Sequence, residues 1–304
     1  MKLDTHVHTF HSGASTIWPL QNFLRECYTE PENVYRLAKA RGMGLVTVTD
    51  HDAISGALAL ADRADVITCE VTGVFPDDGV KVHLNVFGLT EAQHREIQRA
   101  RYDVRDLMRY LRGERLFTSL NHVASGINGP ITAPHVAALL PWVNALETIN
   151  GSRLAVQNRT ARCIAEAAGK AGMAGSDSHT HRGIGYTWTE VPGARTRDEF
   201  LAGLWEGRTR VGGRDGSFRT MASDVFRFGG SYWIEQVQQV GRHPLRWQAH
   251  ARLFGSVFGL PIVPIALAGA YLHFIMEERF NENLLFDLVA RPAPRTPHVP
   301  ELAA

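Results

Sequence analysis

Two histidines separated by one residue, His6 and His8, open the chemistry of this chain. On an extended segment, side chains two apart face the same side, so both imidazoles converge on one point. Nitrogen and oxygen donors then recur at the ends of one apolar run after another. Asp50-His51-Asp52 follows 45–48, Glu70 follows 66–69, and His83 lies inside the alternating stretch 80–87. Asn121-His122 follows Phe117–Leu120, and Asp177-Ser178-His179 follows 173–176, with His181 two residues further on. Singly, each has a plain reading: a hydrogen-bonded or surface histidine, a turn cap at Asp50, a solvated strand end at Glu70. Together they put a donor at six strand ends, which a polynuclear metal site explains. Imidazole with carboxylate suits Mn²⁺, Fe²⁺ or Zn²⁺, whereas an all-carboxylate set would suit Mg²⁺ or Ca²⁺. Cys69 adjoins Glu70 but alternates to the opposite face, so it reads as core.

The elements that must position these residues read as alternating strands and helices up to about Val211. Short apolar runs at 45–48, 66–69, 80–87, Phe117–Leu120, 145–148 and 173–176 are the expected strands. Helices are expected at 32–41, framed by Pro31 and Gly42, at 91–112, from Ala133 behind Thr132, and at 154–171. Thr196 and Glu199 form a capping box for a helix running to Glu206. About seven such units favour a distorted (β/α)7 barrel, an α/β fold whose strand carboxyl ends meet on one face. The expected division is a barrel over 1–217 and a helical extension over 218–304, ending in a loose Pro-rich tail. Within the extension, 253–276 contains no Asp, Glu, Lys or Arg, long enough to span a bilayer despite Pro261 and Pro264. Two readings stand: a membrane contact through this run, or a buried helix pair docked on the barrel. In the first, the arginines at 242, 246 and 252 keep the N-terminal part on the cytoplasmic face.

The 304 residues leave room for one large domain with an appendage, and 44% hydrophobic with 21% charged residues excludes wholesale disorder. Thirty-two basic against thirty-one acidic residues, net +1, argue against nucleic acid bound through bulk charge. Three cysteines without close pairing, and an N-terminus lacking an apolar signal core, point to a reducing, cytoplasmic setting. Of the fourteen histidines, ten lie at or before His181.

The run of motifs resembles the PHP (polymerase and histidinol phosphatase) family of metal-dependent phosphoesterases, over roughly 1–211. By that resemblance, His6, His8, Glu70 and Asp177 hold a first metal. Glu70 bridges to a second, held also by His83 and His122, while His51 and His179 hold a third. A further acid or histidine is implied five or six residues after His8, where this chain has Gly13 and Ala14. Either His11 or His181 substitutes, with His11 the favoured ligand, or only two ions bind. The implied activity is hydrolysis of a small phosphorylated substrate, such as a nucleotide or sugar phosphate, by a hydroxide activated on two or three divalent ions of Mn, Zn or Fe. Asp177, His179, His181 and Asp50 are the catalytic candidates: His179 or His181 protonates the leaving group, and Asp50 or Asp52 orients His51. Arg182, Arg153 and Asn150 are the substrate-binding candidates, guanidinium matching phosphate by its fork. Gly183 and Gly185 read as turn residues or as points of close backbone approach. No phosphate-cradling P-loop motif is present. Two alternatives remain, an amidohydrolase-like barrel with Lys81 as the nearest bridging lysine, and a metal-binding regulatory or scaffold module of low turnover.

Overall fold

The structure, a computed structural model, describes residues 1–15, 24–60, 66–126, 131–258 and 262–290. A two-residue strand, β1 (Lys2–Leu3), leads into the first donor segment; helices α1 (Pro31–Ala40) and α2 (Ser55–Leu58) follow. Strands β2 (Thr68–Val74) and β3 (Lys81–Phe87) then form an antiparallel hairpin. Its turn is Pro76-Asp77-Asp78-Gly79, closed by Gly79 N to Phe75 O at 2.8 Å and Phe75 N to Val80 O at 2.8 Å, with Gly79 at φ +75°. Proline, aspartate and a positive-φ glycine are what a tight reversal demands. This turn is why the sheet departs from the expected parallel order.

The expected helix over 91–112 is two helices, α3 (Glu91–Ala100) and α4 (Val104–Gly113). Asp103 separates them, its extended backbone and side chain capping Arg105 N and starting a new helix. Strand β4 (Phe117–Leu120), helix α5 (Ala133–Leu139), strand β5 (Ala145–Asn150), helix α6 (Ala155–Ala167) and strand β6 (Ala171–Gly175) complete the main sheet. Its order is β2-β3-β4-β5-β6, antiparallel through β4 and parallel from β4 to β6. Strand β7 (Trp188–Glu190), helix α7 (Arg197–Trp205) behind the Thr196–Glu199 capping box, and strand β8 (Arg210–Gly212) follow. β1, β7 and β8 form a separate antiparallel sheet.

The five-stranded ladder does not close on itself among the described residues. Residues 45–48 are buried as expected, but no ladder includes them. Single hydrogen bonds cross the gap instead: Asp177 N to His6 O at 2.7 Å, His8 N to Ser178 O at 3.1 Å, Thr49 N to Val7 O at 2.7 Å and Asp52 N to Glu70 O at 2.8 Å. Irregular extended segments, sitting side by side, thus carry the donors of the first, second and last runs. A mixed α/β fold is what the ladders define.

Among the described residues the C-terminal part is three helices, α8 (Phe218–Arg242), α9 (Trp247–Phe258) and α10 (Ile262–Ala290). The apolar run 253–276 is therefore divided between α9 and α10, and α10 continues through Glu277, Arg279, Glu282 and Asp287. Among the described residues, no helix is long and apolar enough to cross a membrane. What docks α10 lies beyond the run: Leu284 enters the main core cluster, and Asn281 Nδ2 donates to Ala124 O at 2.9 Å. Glu277 accepts from Gly126 N at 2.9 Å and from Gln157 Nε2 at 2.8 Å. Within the run, Phe254, Ile265, Tyr271, Leu272 and Met276 stay exposed, so the buried-pair expectation fails for them. The Pro-rich tail lies outside the described residues.

Candidate metal centre

The first donor segment is held in place by a buried carboxylate next to it. Asp4 accepts hydrogen bonds from Ser176 N at 2.8 Å and Gly185 N at 2.7 Å, and burial raises its pKa to about 6. At Gly175 the two segments touch: a Cβ there would lie 2.5 Å from His6 N, so no larger residue fits. Gly185, at φ +70°, is a turn residue. His6 and His8 are consequently fixed side by side with no solvent exposure, their Nε2 atoms 3.1 Å apart.

Glu70, fully buried at the edge of the sheet, is the centre of the cluster. Its Oε2 lies 3.2 Å from His6 Nε2, 3.3 Å from His8 Nε2 and 3.1 Å from His51 Nδ1. Its Oε1 faces the other way, 3.3 Å from His83 Nδ1, 3.2 Å from His122 Nε2 and 2.9 Å from Asn121 Nδ2. Asp177 closes the first side, with Oδ1 3.6 Å from His6 Nε2 and 3.4 Å from His8 Nε2. Four groups of donors lie close enough to share an ion: His6, His8 and Asp177; His6, Glu70 and His122; His51, Glu70 and His83; and His8, His51 and His179. Glu70 Oε2 is buried without a hydrogen-bond partner, although three imidazoles surround it. A buried carboxylate oxygen facing ring nitrogens it does not hydrogen-bond suits a shared cation, and the nitrogen–oxygen donor set fits a divalent transition metal.

Charge is balanced inside the cluster. Burial opposes protonation of His6 and His8, but Glu70 and Asp177 outweigh it, lifting His6 well above the ordinary imidazole range and His8 to about 9. Burial equally opposes ionisation of Glu70 and Asp177; His6 in both cases, with Arg153 beside Asp177, holds them well below the carboxylate range. Burial drives His51 well below the imidazole range, and His8, His83 and His179 add to this against the pull of Glu70. Two donors sit on left-handed backbone that side chains other than glycine rarely adopt, His122 at φ +27° and Asp177 at φ +48°. Such strain persists where the surroundings over-determine it, and it concentrates at functional sites.

Glu147, on β5, is a residue that sequence reasoning missed. It accepts from His6 Nδ1 at 2.8 Å, from His122 N at 3.0 Å and from Asn150 Nδ2 at 2.8 Å. A carboxylate on the far nitrogen of a ligating imidazole fixes its tautomer and leaves the other nitrogen's lone pair aimed at the centre. The available signal was a single charge, between Leu146 and Thr148, inside the expected strand 145–148.

The structure brings together His6, His8, His51, Glu70, His83, His122, Asp177 and His179. The remaining candidates fall elsewhere. His11 turns its ring onto Phe10, 4.1 Å between centroids, and belongs to none of the four donor groups among the described residues. His181 is exposed and lies outside those groups, near Arg36, Arg41 and Arg227, which add to burial in lowering its pKa. Asp50 is engaged structurally, accepting from Thr9 N at 2.6 Å and from Ser12 Oγ at 2.8 Å. Asp52 accepts from Thr72 N at 2.8 Å and pairs with Arg101 at 3.0 Å, so it does not orient His51. Arg182 turns to α8, 3.9 Å from Asp224. Arg153 reaches the centre, with Nη2 3.2 Å from Asp177 Oδ2, and Asn150 Nδ2 donates to that same oxygen at 3.1 Å. Lys81 begins β3 and is exposed.

Residues 156–209 match a family model described as PHP-associated, a stretch that includes β6, Asp177, His179 and α7. A 58-residue stretch is 38% identical to an uncharacterized protein of Methanocaldococcus jannaschii, covering 19% of this chain and a third (33%) of that relative. Among solved structures, PsfC from Pseudomonas syringae has a similar fold, with TM-score 0.55 and 17% identity over 75% of this chain and 98% of that one. A Bifidobacterium adolescentis protein to which metal-dependent phosphoesterase activity is attributed overlaps with TM-score 0.48 and 13% identity, over 67% of this chain and 96% of its own.

Proposed function

From the premise that this is a PHP-like chain, we propose that it is a metal-dependent phosphoesterase acting on a small phosphorylated molecule. The observation that carries the reading is the double-faced Glu70, with one carboxylate oxygen turned to His6, His8 and His51 and the other to His83 and His122. That arrangement suits two adjoining ions that share one carboxylate. His6, His8, Glu70 and Asp177 would hold one ion, Glu70, His83 and His122 a second, and His51 and His179 a third. Bound divalent ions supply Lewis acidity at the phosphoryl oxygens and lower the pKa of water at neutral pH.

The chain's own groups do the rest. Arg153, paired with the buried Asp177, offers a guanidinium fork at the edge of the donor cluster where phosphoryl oxygens would sit. Asn150 holds Glu147 and Asp177 in register, and through Glu147 restrains His6. His179 is the donor most open to solvent among those named, 26% exposed. This reading includes a distorted (β/α)7 barrel over 1–217, its gap spanned by the irregular segments, and a helical extension over 218–304. Phosphate release by Mn²⁺-loaded protein from a panel of phosphomonoesters and one diester, beside Asp177→Ala, tests it. Turnover lost in the variant is expected; metal-loaded wild type inert towards every phosphoester contradicts the proposal.

A further inference from the structure

We infer that Glu26 is the missing carboxylate ligand of the His51–His179 ion, delivered from the opposite side of the loop that lacks a donor at Gly13 and Ala14. The inference deepens the proposed function and rests on it.

The backbone brings Glu26 to that place. Ala14 bridges antiparallel to Arg25, and Glu26 N donates to Gly13 O at 2.9 Å. Glu26 therefore lies directly across from the positions where the motif calls for an acid. The next residue, Cys27, pins the segment to the centre. Its buried thiol lies 3.2 Å from His179 O and 3.4 Å from His8 O, and burial pushes its pKa up to about 12, so it stays a neutral donor.

The side-chain geometry points to a shared cation. His179 Nδ1 lies 3.2 Å from Asp177 O, a carbonyl that can only accept, so Nδ1 carries the hydrogen and Nε2 presents its lone pair. That Nε2 is buried without a hydrogen-bond partner. Glu26 Oε1 faces it at 3.7 Å, too far for a hydrogen bond. Two acceptors turned towards each other across a gap of this size repel unless something positive lies between them. Two donors each about 2.1 Å from one ion can span a separation of this size. His179 also shares a donor group with His8 and His51, so Glu26 adds an oxygen to a site otherwise built of imidazoles.

The test is metal stoichiometry, read by elemental analysis after Mn²⁺ loading and exhaustive dialysis. Wild type is compared with Glu26→Gln, which keeps the side chain's size, and with Glu26→Ala. The metal-free melting temperatures serve as the check on folding. Wild type is expected to retain three ions per chain and both variants two, with melting temperatures matching in the metal-free state. Wild type holding two ions, or variants keeping three, overturns the role of Glu26 and leaves the phosphoesterase reading standing. Wild type holding none overturns both.

Discussion

The donor cluster and the C-terminal helices are built on opposite principles. Around Glu70 nearly every side chain is polar, buried and in contact with two or more others; His6 alone meets Glu70, Asp177, Glu147 and His8. Along α8 to α10, the described buried side chains are few and mostly polar (Gln236, Glu277, Asn281 and Leu284), while Trp233, Ile234, Leu245, Trp247 and Phe254 face solvent. A buried polar network costs desolvation and returns geometry. An apolar helical surface attached by a handful of polar contacts returns neither precision nor much stability. The cluster is thus where substitution is expected to destroy function, and the extension is where most substitutions are expected to be tolerated.

The largest effect expected on this contrast is at Glu70. Glu70→Gln keeps the shape but removes the charge proposed to be shared, and phosphoester turnover should fall by about a thousandfold or more, as loss of a centre's charge stabilisation does. Turnover within tenfold of wild type would dissolve the distinction between the regions. The pH response follows next. In the metal-free protein His8, raised to about 9 by Asp177 and Glu70 against its burial, contributes stability that is complete below about 6.5 and disappears as pH rises through 9. Melting temperature without metal should therefore fall between pH 6.5 and 9, through loss of up to about 3 kcal/mol. With metal the slope should reverse, because ligating imidazoles must be deprotonated. Parallel slopes would show that His8 is not a ligand.

Glu147→Gln touches no ion directly and is expected to weaken metal affinity by about 10- to 100-fold, measured by titration calorimetry. In the other region, Glu277→Ala removes the acceptor of Gly126 N and Gln157 Nε2, a loss of about 1–3 kcal/mol in denaturant unfolding. That would be the exception that locates where the extension is attached. Leu245→Ser, at a residue 97% exposed, should change stability by about 0.5 kcal/mol or less. A larger loss would mean that the helical surface is covered in solution.

The same contrast governs what was legible in the sequence. Eight of the nine expected ligands come together because each lies in or just after an extended run, and such runs announce themselves through short apolar stretches. His11 stands apart from them in a turn of 3₁₀ helix, Phe10–Ser12, where two-residue periodicity carries no information about direction. Glu26 and Glu147 escaped notice for different reasons. The first is remote in sequence from the loop it faces, and the second sits in a strand whose apolar neighbours suggest only packing. The antiparallel β2–β3 hairpin was written in Pro76-Asp77-Asp78-Gly79, a turn signature outweighed by the alternation around it. In the extension, a 24-residue charge-free run measures hydrophobicity and says nothing about where a helix breaks or what it meets.

The central claim is that Glu70 is shared by two ions. Electron paramagnetic resonance of the Mn²⁺-loaded protein tests it most directly, because two manganese ions joined by one carboxylate are magnetically coupled. Wild type should give a coupled spectrum that gives way to an uncoupled signal in Glu70→Gln. An uncoupled, single-ion spectrum from fully loaded wild type would contradict it.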